Sequence, residues 1–281
     1  GMQASLGQVL SDAAGDTLEI WRGLSQGNLG IYQSSRYSYF STGNVALSQK
    51  LGWYMLNSLA LIVLAMLVGG LLGGLIGVAA AASRRPGVSL SLILFSIIGI
   101  SAPSFLLGML LQLLELSLYK STGVRLVPVG GYGWDEHLIL PMLVLGARPV
   151  AQVARLVYSR TSEVLDEDYV RTARSKGLGE RAVWRVHVIP NAAATVLTAI
   201  GTSVRFSLSS LPVVEQLFGW PGAGRVLLEM LRTSQTQGAT VIILCFGAAI
   251  LSINVILDML YLAIDPRLRE PVSQLRDEVR W

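Results

Sequence analysis

The sequence contains few charged residues. They make up 14% of the chain, against roughly 25% in an average soluble domain. Three stretches contain none at all: 33 residues between Lys50 and Arg84, 29 between Arg85 and Glu115, and 25 between Arg232 and Asp258. Because about 20 apolar residues in a helix are enough to cross a bilayer, these stretches predict membrane-spanning helices and exclude a soluble globular protein.

Cysteine and histidine are also scarce. The single cysteine, Cys245, excludes an intramolecular disulfide framework. The two histidines, His137 and His187, are too few and too far apart for a metal cluster. No G-x-x-x-x-G-K-[ST] phosphate loop occurs, so this chain has no ATP site of that kind. The net charge of +4 is typical of proteins that bind either nucleic acid or anionic lipid, and the uncharged runs favour lipid.

The hydrophobic pattern predicts an all-α, polytopic transmembrane bundle with five spans. We place these at about 55–82, 88–118, 138–158, 190–211 and 238–263. The third is the weakest, because it contains Arg148 and Arg155. The predicted organisation is an external segment at 1–53, a transmembrane domain at 54–265 that includes a cytoplasmic loop at 159–190, and a cytoplasmic tail at 266–281.

The distribution of basic residues predicts the orientation. The segments 83–87, 159–189 and 264–281 hold 12 Lys and Arg in 54 positions, whereas 1–53, 119–137 and 212–237 hold 7 in 98. Basic residues concentrate on the cytoplasmic side, so the amino terminus is predicted outside and the carboxyl terminus inside. Since 53 residues without a preceding span are hard to export, we expect that an upstream first span is absent from this sequence.

The loop at 159–189 is the most informative segment. Good helix formers run up to Lys176, and Gly177 is a natural helix stop. Gly179 then opens a second short helix, and Pro190 suits the first turn of the next span. We predict a helix over 163–177 whose narrow apolar face, with a basic rim, is suited to docking another protein. That face consists of Tyr169, Val170 and Ala173, and its rim of Arg171, Arg174 and Lys176.

This loop resembles the cytoplasmic "EAA" loop of bacterial ABC importer permeases. The resemblance rests on the run Tyr169-Val170-Arg171-Thr172-Ala173-Arg174-Ser175-Lys176-Gly177-Leu178 and on His187-Val188-Ile189-Pro190. The first run is similar to the version in dipeptide, oligopeptide and nickel permeases. The chain departs from the wider family at Arg171, where Glu is common, and at His187, where Ile is common. The stretch from Val213 to Gly224 and the sequence Asp265-Pro266-Arg267 resemble the same branch.

The resemblance implies a type I permease fold in the inner membrane. It also implies a substrate pathway, with peptides as the expected class, and a heterodimer with a second permease. Two ATPase subunits that bind ATP and Mg²⁺ would dock on the loop, and an external binding protein would deliver the substrate. This chain itself would then be non-catalytic, with no cofactor of its own and no nucleic-acid partner. The expected ATPase contacts are Tyr169, Val170, Arg171, Thr172, Ala173, Arg174, Lys176, Gly177 and Leu178.

Two other classes of protein remain as alternatives. An intramembrane serine protease could use Ser101 or Ser104, but His137 and His187 are predicted outside the membrane core, where neither suits that role. A channel or scaffold without ATP coupling is the second alternative. The loop at 159–190 separates these interpretations, because only the transporter requires a docking element.

Polar residues within the spans give candidates for the substrate pathway. Arg205 and Ser209 share one face of the fourth span, where Arg205 could attract a carboxylate or pair with Glu215 or a second permease. Arg148 lies near the predicted midplane. The glycines Gly69, Gly73 and Gly77 predict close helix packing, within the chain or between permeases. Pro103 predicts a kink in the second span.

Overall fold

The computed structural model describes residues 15, 22–23, 26, 29–33, 44–83 and 85–264. The strands β1 (Ile31–Gln33) and β2 (Asn44–Ala46) pair antiparallel, with Ile31 opposite Ala46. The helices are α1 Leu47–Ser83, α2 Pro86–Ser101, α3 Ser104–Thr122, α4 Ile139–Asp166, α5 Asp168–Ser175, α6 Glu180–Val183, α7 Ile189–Phe218, α8 Ala223–Arg232 and α9 Thr236–Ile264. A 3₁₀ turn (Glu136–Leu138) precedes α4, and a π-helical stretch (Trp184–Val188) precedes α7. The Asp265-Pro266-Arg267 pattern and the predicted tail lie outside the described residues.

Within the described ranges, four helical segments are long and apolar enough to cross a membrane: Leu47–Ser83, Glu136–Asp166, Thr195–Phe218 and Thr236–Leu260. The pair formed by α2 and α3 passes the same test together, but the two helices are bent by 105° at a short break. Counted as one span, this pair completes the predicted five. The all-α membrane fold is therefore confirmed, with one small β-hairpin added.

The second predicted span, 88–118 with a kink at Pro103, is instead two helices separated by a break. The chain leaves the helix at Ala102 and Pro103, whose backbones are extended with ψ of 125° and 133°. Proline disfavours the helical conformation of the residue before it and cannot donate a backbone hydrogen bond. Pro103 therefore ends α2 and starts α3 instead of merely kinking one span.

The fourth span continues beyond residue 211, where it was predicted to end. Helix α7 continues through Pro212 to Phe218 and stops at Gly219, which has a left-handed φ of 71°. Only glycine adopts this conformation without a steric penalty. The predicted loop at 212–237 is consequently shorter than expected, and it contains α8, an amphipathic helix that buries Ala223, Gly224, Val226 and Met230.

The chain divides into two compact units. The first comprises Gly1–Leu59 and Pro221–Ala248, and its hydrophobic core includes Leu47, Tyr54, Met230 and Ile242. Within this unit, the Ser58 hydroxyl oxygen accepts a 2.8 Å hydrogen bond from the Ala223 N–H. The first turn of a helix leaves its N–H groups without intrahelical partners, so Ser58 satisfies one such group at the start of α8.

The second unit comprises Ala60–Trp220 and Ala249–Trp281. Its central helix is α4, against which the glycines of α1 pack. A Cβ atom added at Gly73 would lie 2.7 Å from the Val150 carbonyl oxygen, and one at Gly77 would lie 2.6 Å from that of Ala154. The glycine stripe thus permits close packing within the chain, as the first of the two interpretations predicted.

The loop between α3 and α4 is held to the ends of α3 and α7. The buried carboxylate of Glu115 accepts hydrogen bonds from the N–H groups of Leu126 at 2.8 Å and Val127 at 3.2 Å. The Gly131 N–H donates to the Phe218 carbonyl at 2.7 Å. The loop is therefore anchored at both ends by residues of the same unit.

Candidate functional site

The predicted docking helix is shorter than expected. Helix α4 ends at Asp166, Glu167 is extended with ψ of 145°, and α5 covers only Asp168–Ser175. The prediction of one helix over 163–177 is wrong, because the chain turns at Glu167. The predicted stop at Gly177 is confirmed: its φ is 84°, its N–H bonds to the Arg174 carbonyl, and the Leu178 N–H bonds to that of Ala173. This is the hydrogen-bond pattern of a Schellman helix end. We refer to residues 167–178 as the α5 segment.

The predicted apolar docking face is also different. Val170 is fully buried and Ala173 is 8% exposed, in a cluster with Val164, Leu165, Val183 and Val188. The expectation that Val170 and Ala173 face outward is therefore wrong, because the chain folds back and covers them with residues 183 and 188. Tyr169, at 43% exposure, is the member of the predicted face that does face outward.

The outward surface of the α5 segment carries charges of both signs and two apolar side chains, and Arg171 forms an ion pair with Asp168 at 3.6 Å. The exposed residues among the predicted contacts are Tyr169, Arg171, Thr172, Lys176, Gly177 and Leu178. Arg174 instead turns inward and makes a double hydrogen bond with Glu180, at 2.7 Å from Nε and 3.2 Å from Nη2. The ring of His187 lies 5.5 Å from that of Tyr169, so this tyrosine is supported from one side.

The second helix of the loop begins where it was predicted. Gly179 is the residue before the first turn of α6. Pro190 lies in the first turn of α7, as predicted. The short helix and the span are nevertheless continuous, because α6, the π-helical stretch and α7 form one helical run from 180 to 218. The Ile189 N–H donates to the Trp184 carbonyl, five residues earlier in the chain. Pro190 has no backbone N–H, so it needs no hydrogen-bond acceptor in this helical run. The α5 segment is therefore joined to α4 at one end and to α7 through this run at the other.

A cavity of about 300 Å³ lies at the break between α2 and α3. Arg148 is among its lining residues, and Nη2 donates to the Ile100 carbonyl at 2.6 Å. The Arg148 guanidinium carbon lies 4.9 Å from the centre of the Phe206 ring, within the range of a cation–π contact. Four serine hydroxyls border the same space: Ser104, Ser207, Ser209 and Ser210.

The structure thus brings Arg148 and Ser209 together and leaves Arg205 apart. Arg205 is exposed on α7 and does not line the cavity. It belongs to a row of exposed polar residues spaced by four and three positions, namely Thr198, Thr202, Arg205 and Ser209. On α4, Gln152 joins this row by donating to the Thr202 hydroxyl at 2.8 Å. The spacing of the polar residues on α7 indicates this row in the sequence, but it gives no sign that Gln152 of α4 belongs to it.

The geometry does not favour an intramembrane protease. Ser104 lines the cavity, but no histidine is among the described residues around it. His137 Nδ1 lies 2.6 Å from Asp135 Oδ1, and His187 packs on Tyr169. Hydrogen bonds from the His137 backbone and imidazole hold the pKa of the Asp135 carboxyl below its ordinary value. In the part of the chain that the structure describes, no hydrogen bond joins His137 or His187 to a serine that lines the cavity.

Residues 73–270 match the family described as binding-protein-dependent transport system inner membrane component. The glutathione transport system permease protein GsiC of Salmonella paratyphi A (strain ATCC 9150 / SARB42) is 34% identical over 255 residues, covering 90% of this chain and 79% of that protein. A protein of Brucella abortus (strain 2308), named as a peptide transport system permease, is 34% identical over 215 residues, covering 75% and 68% respectively.

A solved structure shows a similar fold. It is described as the crystal structure of an amino acid ABC transporter with histidines. The TM-score is 0.57 at 18% sequence identity, and the match covers 76% of this chain and 94% of the other. At that identity the similarity concerns the arrangement of the helices.

Proposed function

The chain belongs to the family of binding-protein-dependent transport system inner membrane components and is a permease subunit of an ABC importer. From this premise we propose that it carries peptides. We also propose that it is driven by ATPase subunits docked on the α5 segment. The substrate proposal is supported by the names of the relatives, which are permeases for glutathione and for peptides. The family is one of inner membrane components, and the several apolar helices fit a multi-pass protein of that membrane.

The proposal assigns ATP hydrolysis to other subunits. ATP and Mg²⁺ would bind to two partner ATPases, and this chain would contribute no catalytic residue. A second permease would complete the pathway as a heterodimer, and an external binding protein would deliver the peptide. The relatives' description as transport permeases and the composition of the α5 segment support this division of roles.

One observation carries the coupling proposal: the α5 segment is rigidly joined to two membrane-spanning helices. It follows α4 after a single extended residue, and its Arg174–Glu180 hydrogen bonds and apolar cluster fix it to the run that continues into α7. A displacement of the segment by a closing ATPase dimer would therefore move α4 and α7 as packed bodies. Rigid-body movement of packed helices is the usual form of such transitions.

The docking surface that we propose consists of the exposed part of the α5 segment. Tyr169 and Leu178 supply the apolar contacts. Lys176 supplies a positive charge, and so does Arg171, which also pairs with Asp168 at 3.6 Å. The complementary surface on an ATPase would be an apolar pocket with acidic residues at its rim, since aromatic anchors surrounded by charged rims are typical of protein interfaces. Val170 and Ala173 would act indirectly, by holding the segment in shape.

The exposed polar row on α7 supports a pathway role for that helix. Arg205 lies within the candidate span Thr195–Phe218. An arginine that faces hydrocarbon near the centre of a span is unfavourable by roughly 3 kcal/mol on insertion scales. Among the described residues, no hydrogen bond or ion pair is found for the Arg205 side chain. The row from Thr198 to Ser209 would therefore face a water-filled pathway or the second permease, and Arg205 would attract anionic groups into it.

Replacement of Tyr169 by alanine tests the docking proposal. We expect at least a fivefold loss of ATPase co-purification and of peptide uptake, because truncation of an interface hot spot weakens binding by roughly 1–2 kcal/mol or more. Tyr119→Ala is the matched control, since Tyr119 is equally exposed, at 47%, at the other end of the membrane helices. Full ATPase recovery with the Tyr169→Ala protein would refute the docking surface.

A further inference from the structure

We propose that the cavity at the α2–α3 break is a binding subsite for a carboxylate of the transported peptide, with Arg148 as its anion-binding group. The inference rests on the proposed peptide-import function and names the part of the substrate that this cavity recognises. It goes beyond a general pathway role, because the geometry assigns one chemical group to one side chain.

The charge of Arg148 is only partly compensated by the protein. A guanidinium has five N–H donors, and Arg148 uses one of them on the Ile100 carbonyl. That carbonyl lies at the carboxyl end of α2, where the helix dipole stabilises a cation. None of the ion pairs of the described residues includes Arg148. Four donors of a planar fork that matches a carboxylate therefore remain beside the cavity.

The other walls of the cavity provide hydroxyl groups and space. Ser209 and Ser210 line it; within α7 the Ser209 hydroxyl donates to the Phe206 carbonyl at 2.7 Å, and the Ser210 hydroxyl has the Ser207 carbonyl at 3.1 Å and that of Phe206 at 3.3 Å as acceptors. Their oxygens can accept, and on rotation the hydroxyls can donate to a ligand. Gly99 and Ala102 line the cavity on the side of α2. A volume of about 300 Å³ is at the small end of the range for ligand pockets, so it suits a terminal residue and not a whole peptide.

A purely structural role for Arg148 makes a different prediction. In that case Arg148 would only cap α2 and fix the break, and its substitution would change the transport of all peptides alike. The carboxylate subsite instead predicts a change in selectivity. A neutral C-terminal amide has the same shape as the acid but lacks the charge that strengthens a hydrogen bond to arginine.

The first experiment measures uptake of a tripeptide and of its C-terminal amide by cells that contain the complete transporter. The binding protein is the same throughout, so a change in the acid-to-amide ratio arises in the permease. For Arg148→Gln we expect this ratio to fall roughly tenfold or more, as for loss of a charged hydrogen bond, while Arg148→Lys keeps part of the preference. Arg155→Gln, on the same helix but outside the cavity, is the matched control.

The outcomes distinguish the two levels of the proposal. If the wild-type transporter takes up neither peptide, the proposed peptide function fails. If it takes up both, and Arg148→Gln retains the wild-type ratio, the carboxylate subsite is wrong while the importer function stands.

A second experiment needs no transport. Cys245 is the only cysteine, so a Cys245→Ala, Ser210→Cys protein carries one thiol at the cavity. The quantity measured is the reaction rate of a negatively charged methanethiosulfonate divided by that of a positively charged one. We expect this ratio to be roughly tenfold higher with Arg148 than with Arg148→Gln, because a charged cleft concentrates counter-ions. Ser121→Cys, exposed at the end of α3, should show no such dependence. Equal ratios with and without Arg148, or no reaction at residue 210, would overturn the subsite.

Discussion

The glycine contacts between α1 and α4 make a quantitative prediction about stability. A Cβ atom at Gly77 would lie 2.6 Å from the Ala154 carbonyl oxygen and 2.8 Å from the Val157 Cβ atom. The first distance is 0.8 Å too short, since ordinary van der Waals contact for an added Cβ atom begins at 3.4 Å. Both neighbours are fixed to the backbone of α4, so no side-chain rotation can relieve the clash.

Gly77→Ala must therefore displace one helix from the other. We expect a loss of about 1–3 kcal/mol in the free energy of unfolding, which is the usual effect of overpacking in a tight core. The gain in helix propensity from glycine to alanine, up to about 1 kcal/mol, opposes this loss only in part. Unfolding of the purified permease by SDS titration, followed by circular dichroism, measures the difference.

Two further glycines provide a graded comparison. At Gly74 the nearest atom is a methyl group of Val196 at 3.2 Å, which a rotation could move, and at Gly247 no atom lies within 4 Å. The expected order of stability is Gly247→Ala above Gly74→Ala above Gly77→Ala. If Gly77→Ala unfolds at the same SDS concentration as Gly247→Ala, the close approach of α1 and α4 is not as described and the reasoning fails.

Two other predictions concern the loop between α3 and α4 and the orientation of the chain in the membrane. Glu115→Ala removes the acceptor of two backbone N–H groups. We expect faster hydrogen exchange at Leu126 and Val127, because each unpaired N–H destabilises the loop by roughly 1–3 kcal/mol. Unchanged exchange at these two residues would contradict this. With the amino terminus outside, a cysteine at Ser234 should react with an impermeant reagent added to intact cells and one at Ser175 should not. The opposite labelling pattern would reverse the predicted topology.

The membrane helices could be predicted because their signal is local. A charge-free run long enough to cross the bilayer has few alternatives, and the helix stop at Gly177 depends only on a left-handed φ that glycine adopts readily. The break at Pro103 was underestimated because hydropathy is insensitive to backbone geometry. The residues on either side are equally apolar, so composition alone does not separate α2 from α3.

The inward face of the α5 segment could not be predicted in the same way. Val170 and Ala173 look like a docking face as long as the segment is considered alone, and they become core only when Val183 and Val188 fold over them. Arg148 is a similar case, since its hydrogen-bond partner Ile100 lies 48 positions away. In both cases the decisive neighbour comes from a distant part of the sequence, and no local pattern indicates it.

The π-helical stretch before α7 determines how the chain tolerates changes in length. Val183 and Val188 are five residues apart, which in an α-helix would place them about 140° apart, yet both are fully buried in one cluster. A π-turn is in effect one residue inserted into an α-helix. Deletion of one residue from 184–187 would leave the two valines four positions apart, on the same face of an ordinary α-helix. This short stretch is thus a place where the chain can lose one residue and still keep both valines in the same buried cluster.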